Sequence, residues 1–173
     1  MDYFWLRQDR RYVNPPVIEG FYTRMRRKDF VPENRYKIPD RNVVYCDSDK
    51  NLDFTDVLDR QLFLVSEKVK NVFKLYEKSI IYKCFCLLNN QKNEYMLYYA
   101  PLISEIDSFF NENELTLKGE GMGSSSIFRV KCESREVIVV RLDVAESLLR
   151  RNPEGIELRK IRIHSPLTVN KPL

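Results

Sequence analysis

The chain has one histidine, one tryptophan, five glycines and four cysteines in 173 residues, and each scarcity narrows the chemistry open to it. His164 is the sole imidazole, so any Ser–His or Cys–His nucleophilic pair has to be built on it. It stands beside Ser165 and Pro166, and no nucleophile lies in a recognisable elbow or helix-start context for catalysis. Cys84 and Cys86 fall on one face of a strand, but Cys46 and Cys132 stand alone, so the spacing does not make a zinc site. No uncharged run approaches the roughly 20 apolar residues that cross a bilayer. The longest candidate, Tyr95 to Ser104, contains Pro101 and is about half that length. The opening MDYFWLRQDRR lacks the apolar core of a secretory leader, which with the unpaired-looking thiols predicts a reducing cytoplasm.

Three of the five glycines fall in KGEGMGSSS, residues 118–126. A phosphate-cradling loop needs Lys-Ser or Lys-Thr after its glycines and a helix opening beyond them. Here the chain runs into IFRVKCE, which has strand texture, so the run reads as a connection. The acidic stretch DSDKNLDFTDVLD, with Asp47, Asp49, Asn51, Asp53, Asp56 and Asp59, resembles a calcium loop at its first three ligand positions. Leu52 then stands where the turn wants glycine and Leu58 where a bidentate glutamate is needed. These carboxylates read as turn and cap groups, with Asp53 or Thr55 starting a short helix that ends before Gln61. The sequence thus presents no catalytic residue, no metal ligand set and no cofactor motif.

What is present is a globular composition, 43% apolar and 12% aromatic, sufficient for one domain over residues 1–173. Residues 1–41 read as an N-terminal aromatic strand (Tyr3 to Leu6) plus a proline-rich wrapping segment, and residues 42–173 as a sheet-and-helix body. Charge alternates along the chain: ten Lys/Arg against six Asp/Glu in residues 1–41, nine against twelve in 42–118, ten against seven in 119–173. That is unlike the single basic face of a dedicated nucleic-acid binder. The densest basic cluster, Arg24, Arg26, Arg27 and Lys28, is flanked by Phe21, Tyr22 and Phe30, which with Tyr36 are expected to pin the wrapping segment to the body. It reads as a solvated loop or as a partner-binding patch.

The fold is most legible from Gln61 to Ala100. A short apolar run to Val65 is followed by Ser66 at a helix N-cap position. Val69, Val72, Phe73 and Tyr76 then share one helical face, with Lys68, Lys70, Asn71 and Lys74 away from it. Ser79 to Leu88 and Glu94 to Tyr99 read as strands of a hairpin closed by Asn89 to Asn93. Ile103 to Phe110 reads as a helical turn, and Glu114 to Leu117, Ile127 onwards and Val137 to Arg141 as strands. Asp143 and Glu146 make a capping box for a helix that stops at Asn152-Pro153, and Gly155 turns the chain into a strand from Ile156 to Ile163. The order strand, cap, short amphipathic helix, strand occurs twice. The predicted class is α+β, a mixed, largely antiparallel sheet with two or more short packed helices.

The run FLVSEKVKNVF (Phe63 to Phe73), the strand ending YMLYYAP, and the order IFRV, EVIVV, DVAESLL, GIELRKI from Ile127 to Ile161 resemble the small α+β immunity proteins of bacterial polymorphic toxin systems, in the family called immunity protein eleven. The likeness covers about the last two-thirds of the chain. The first 40 residues share only the aromatic strand, and no functional residue carries over. The resemblance implies a cytoplasmic, non-enzymatic protein that binds and neutralises a cognate toxin protein. Two other classes remain as alternatives: a nucleic-acid-associated accessory protein using Arg24 to Lys28, and a hydrolase with an unrecognised site.

Overall fold

The computed structural model describes residues 1–47, 51–119, 125–132 and 135–164. Its plan follows from β1 (Tyr3–Gln8), an alternating strand that sends Tyr3 and Trp5 to one side and Phe4 and Leu6 to the other. The first pair enters a closed barrel. Its other strands are β8 (Glu105–Asn111), β9 (Thr116–Gly119), β10 (Ile127–Lys131), β11 (Glu136–Arg141) and β12 (Ile156–His164), arranged β1-β11-β10-β8-β9-β12. Neighbours are antiparallel except at β8/β10 and β9/β12. Tyr3, Trp5, Phe110, Leu117, Phe128 and Val139 fill the interior. Edge-on ring contacts at 5.6 Å (Tyr3 with Phe128) and 5.4 Å (Trp5 with Phe110) set the packing.

The second sheet is open. It comprises β2 (Val17–Ile18), β3 (Arg41–Asp47), β4 (Val57–Leu58), β5 (Leu64–Val65), β6 (Ile81–Asn89) and β7 (Glu94–Leu102), in the order β2-β3-β6-β7-β5-β4. Only β3/β6 is parallel. One face, with Val44, Phe85, Leu87, Tyr98, Ala100 and Leu102, is covered by the wrapping segment through Ile18, Phe21, Phe30 and Ile38. Part of the opposite face meets α2 (Glu67–Tyr76), against which α3 (Leu142–Leu149) packs; α1 (Phe21–Arg24) is a single turn. Val69, Val72 and Phe73 of α2 join Val144, Ala145 and Leu148 of α3 in one apolar cluster with Leu6, Ile138 and Val140 on the outside of the barrel. Tyr76 Oη donates to the Asp143 carbonyl at 3.0 Å, fixing one helix on the other.

The chain is thus a small mixed α+β fold with two sheets and a few short helices, where the sequence reading expects one sheet. The difference comes from β8. Ile103 to Phe110 is predicted as a helical turn, yet Ile106, Ser108 and Phe110 alternate with the exposed Glu105, Asp107 and Phe109, a period-two pattern that closes the barrel. The short helix expected after Asp53 or Thr55 is absent: Thr55 Oγ1 donates to the Val57 carbonyl at 2.8 Å, and the chain enters β4. Asp143 does not cap α3 as N-cap. β11 runs straight into the helix, whose N-cap is Arg141, and Asp143 inside the first turn accepts from its neighbour Val144 N–H at 3.0 Å. In the wrapping segment Phe21 and Phe30 are buried anchors, whereas Tyr22 and Tyr36 are exposed.

Candidate functional site

Ser66 caps α2 as the sequence implies. Its hydroxyl accepts from Val69 N–H and donates to Asp56 Oδ1. α2 then lies across only one end of the sheet, where Lys70 Nζ sits 3.4 Å above the Tyr99 ring and Lys74 Nζ lies 5.7 Å from the Tyr82 ring. Lys70 is therefore buried on the sheet side of the helix, contrary to its expected placement on the solvent side. Its aliphatic stem covers apolar surface while the ammonium finds an aromatic face.

Beyond α2, no described element covers the same sheet face. Strand register aligns Val43, Cys86 and Leu97 in one cross-strand row and Tyr45, Leu88 and Tyr95 in the next. Val43 is 62% exposed and Tyr95 68%, with Tyr45 and Leu97 both at 44%. Cys84 and Cys86 lie on this half-open face, so their shared orientation is as expected. All four cysteines are unpaired. Among the described residues, β7 has no strand partner on its second edge over its first half, since β5 reaches it only at Val65 opposite Tyr99. With strands about 4.8 Å apart and same-face residues about 6.8 Å apart, two rows over three strands expose roughly 200 Å² of apolar surface. Arg41, Lys74 and Lys92 are exposed, with Arg41 and Lys74 towards the α2 end and Lys92 in the hairpin loop.

Of the four basic residues singled out in the sequence, Arg24, Arg26 and Lys28 are exposed and Arg27 is partly buried. Arg26 Nε binds Asp29 at 3.1 Å. Arg27 turns inward and donates to the Arg60 and Gln61 carbonyls. All four belong to the segment that covers the opposite face of the sheet, so they and the bare apolar rows look in different directions.

The acidic run is spent on the fold. Asp53 Oδ2 accepts from Asn14 N–H at 2.9 Å, Asp56 binds Ser66, Lys68 and Glu154, and Asp59 Oδ2 accepts from Gln8 N–H at 3.1 Å. Asp49 lies outside the described residues, as do residues 120–124 of the glycine-rich run and Ser165 and Pro166 beside His164. His164 is exposed at the end of β12. Among the described residues, no three His, Cys, Asp or Glu side chains converge on a metal-sized point, and no helix is long and apolar enough to cross a membrane. The signal for this apolar sheet face lies in β3 and β7, whose exposed and buried sides both carry apolar residues, where a sheet covered on one side alternates apolar with polar.

Searched against family models and against curated proteins, the chain matches neither.

Proposed function

We propose that this chain is a non-enzymatic, cytoplasmic binding protein of the immunity type, which neutralises a toxin protein by a tight one-to-one contact centred on the bare sheet face. The observation that carries the reading is the pair of aligned apolar rows, Val43/Cys86/Leu97 and Tyr45/Leu88/Tyr95, left uncovered beside α2. Stable complexes cover about 800 Å² on each partner, with anchor residues at the centre and a polar rim. The rows supply the centre. Arg41, Lys74 and Lys92 at the rim fit a partner whose own apolar strip is bordered by carboxylates. The resemblance to immunity protein eleven supports the same reading, since a stoichiometric inhibitor requires a scaffold and a surface.

The experiment is co-expression with the product of the neighbouring gene, which for an immunity protein encodes a toxin. Rescue of growth and co-purification are expected, and both are expected to fail for the Val43→Glu, Leu97→Glu double variant while the variant alone stays folded. Retention of rescue by that variant removes the sheet face. Failure of the unaltered, folded protein to rescue removes the function. Loss of rescue in Arg24→Glu, Arg26→Glu, with the sheet face intact, moves the contact to the wrapping segment.

A further inference from the structure

One cluster of charge is used neither by the barrel core nor by the bare sheet face. Where β1 leaves the barrel, a cleft of about 490 Å³ opens beside the turn after Leu58, and Arg7, Arg10, Arg27, Arg60 and Arg135 line it together with Gln8 and Asp59. Its floor is built from side chains as buried as the core. Arg7 is 3% exposed and Gln8 4%. Both ends of the Gln8 amide lack a hydrogen-bond partner, and so do Nε and Nη1 of Arg7 and Nε of Arg135. Burying unpaired groups of this kind costs stability unless a water or a ligand serves them. The Trp5 ring holds two of the arginines in place, with Arg7 Cζ 4.4 Å and Arg135 Cζ 4.8 Å from its centroid.

The balance of charge narrows the ligand. Glu157 Oε2 lies 3.2 Å from Arg7 Nε without hydrogen-bond alignment, and Glu112 is shared by Arg10 and Arg135. Asp9 is occupied by Arg11. Arg27 and Arg60 donate to neutral acceptors, namely the Arg60, Gln61 and Val13 carbonyls and the Tyr22 hydroxyl, and among the described residues neither has a carboxylate partner. Five guanidiniums set against Asp59, Glu112 and a Glu157 that is shared with Arg159 leave the cleft net positive, which suits a phosphate monoester dianion. Planar guanidiniums suit phosphate oxygens. Gln8 adds a second condition. Its Nε2 can donate to phosphate, but its Oε1 needs a donor, which a phosphate dianion lacks and a hydroxyl supplies.

We propose that this cleft binds a small, hydroxyl-bearing phosphate monoester, with Arg7, Arg27, Arg60 and Arg135 around the phosphate and Gln8 on a ligand hydroxyl. The volume falls in the range of small-ligand pockets. The site is independent of the sheet face and of any toxin.

Trp5, the sole tryptophan, lies between two of the guanidiniums, so its fluorescence reports occupancy directly, with calorimetry as the second readout. Ribose 5-phosphate is expected to bind saturably, about tenfold or more tighter than inorganic phosphate, and ribose not at all. Arg60→Ala removes an exposed side chain whose hydrogen bond goes to the Val13 carbonyl and which acts on Asp59 only through its charge, so it should weaken binding about tenfold with little change in melting temperature. Gln8→Leu should keep the fold and abolish the preference over inorganic phosphate, whereas Asp59→Asn should tighten binding. No saturable signal up to about 10 mM, ribose binding as well as its phosphate, or full affinity in Arg60→Ala overturns the proposal. Tighter binding of a single-stranded RNA oligonucleotide, with a steep loss of affinity in salt, overturns it in favour of a nucleic-acid surface.

Discussion

Asp56 Oδ2 accepts the backbone N–H of Glu154 at 2.6 Å, and the Asp56 N–H returns a bond to the Glu154 carbonyl at 2.8 Å. This two-way clasp joins the chain entering β4 of the open sheet to the turn between α3 and the last barrel strand. The other carboxylate oxygen takes the Ser66 hydroxyl at 2.5 Å, so one side chain sets both the clasp and the α2 cap.

Asp56→Ala leaves the Glu154 N–H and the Ser66 hydroxyl without their acceptor. At about 1 to 3 kcal/mol for each buried polar group stripped of its partner, a loss of roughly 2 to 6 kcal/mol is expected in urea denaturation. Gly155→Ala should add a comparable defect by another route. The residue sits at φ +67°, and a Cβ there would fall 2.2 Å from Thr55 Cγ2. A full-strength melt for either variant would show that the two sheets are not joined here.

Helix α2 gives a paired test. Phe73 is fully buried between the helices and the barrel, so Phe73→Ala should cost about 3 to 5 kcal/mol through lost transfer energy and a cavity. Lys70→Ala should cost about 1 kcal/mol, because the ammonium over Tyr99 and the stem beneath it are both lost. Lys70→Met restores the packing without the charge, and is expected to recover about half of that loss. If Lys70→Ala is neutral and Lys74→Ala is not, the helix is rotated from the orientation described.

Burial pushes the Asp59 carboxyl above the usual carboxylate range, and the Gln8 N–H, Arg135, Arg10 and Arg60 offset this only in part. The sign follows from linkage. A raised acid pKa means the folded state holds the proton more tightly than the unfolded one, so stability falls as pH rises from the unfolded carboxylate value, about 3.9, through the folded value, and levels off above it. Asp59→Asn keeps an acceptor for Gln8 and carries no charge. Its melting temperature should match the unaltered protein at the acid end of that window and exceed it at neutral pH. A gap of the same size at both ends would mean that something other than ionisation separates the two.

Much of this architecture could be read from local periodicity. Val69, Val72 and Phe73 repeat at helical spacing and are all buried, Ser66 caps where a cap is needed, and Asn89 and Asn93 flank the hairpin turn as expected. What escaped was non-local. Barrel closure depends on β8 and β9 pairing in parallel with β10 and β12, and a parallel partner leaves no trace in either strand's own pattern. Lys70 departs from its expected placement for a related reason: a long amphipathic side chain counts as polar in a periodicity count, yet a ring on a neighbouring strand can draw its stem inward. The arginine cleft was illegible for the same cause, since Arg7, Arg27, Arg60 and Arg135 come together from four separate stretches of chain.

The bare sheet face separates stability from recognition, and this gives the last expectation. A residue already more than two-fifths exposed gains little from folding, so replacing it by a charged residue should move stability by no more than about 0.5 kcal/mol. Val43, Tyr45, Tyr95 and Leu97 are such residues, although each belongs to an aligned cross-strand row, at its β3 or β7 end. At an interface the same positions become anchors, where truncation of a central aromatic or aliphatic group costs about 2 kcal/mol or more, a loss of roughly thirtyfold in affinity. Tyr95→Ser and Leu97→Ser are therefore expected to leave the melting temperature and urea midpoint unchanged while raising the dissociation constant of the partner complex, chiefly through a faster off-rate. Arg41→Glu, at the rim, should instead slow association at low salt and become neutral at high salt. A fall in stability for Tyr95→Ser or Leu97→Ser would mean that this face is covered within the chain itself, and the proposed contact would then have to lie elsewhere.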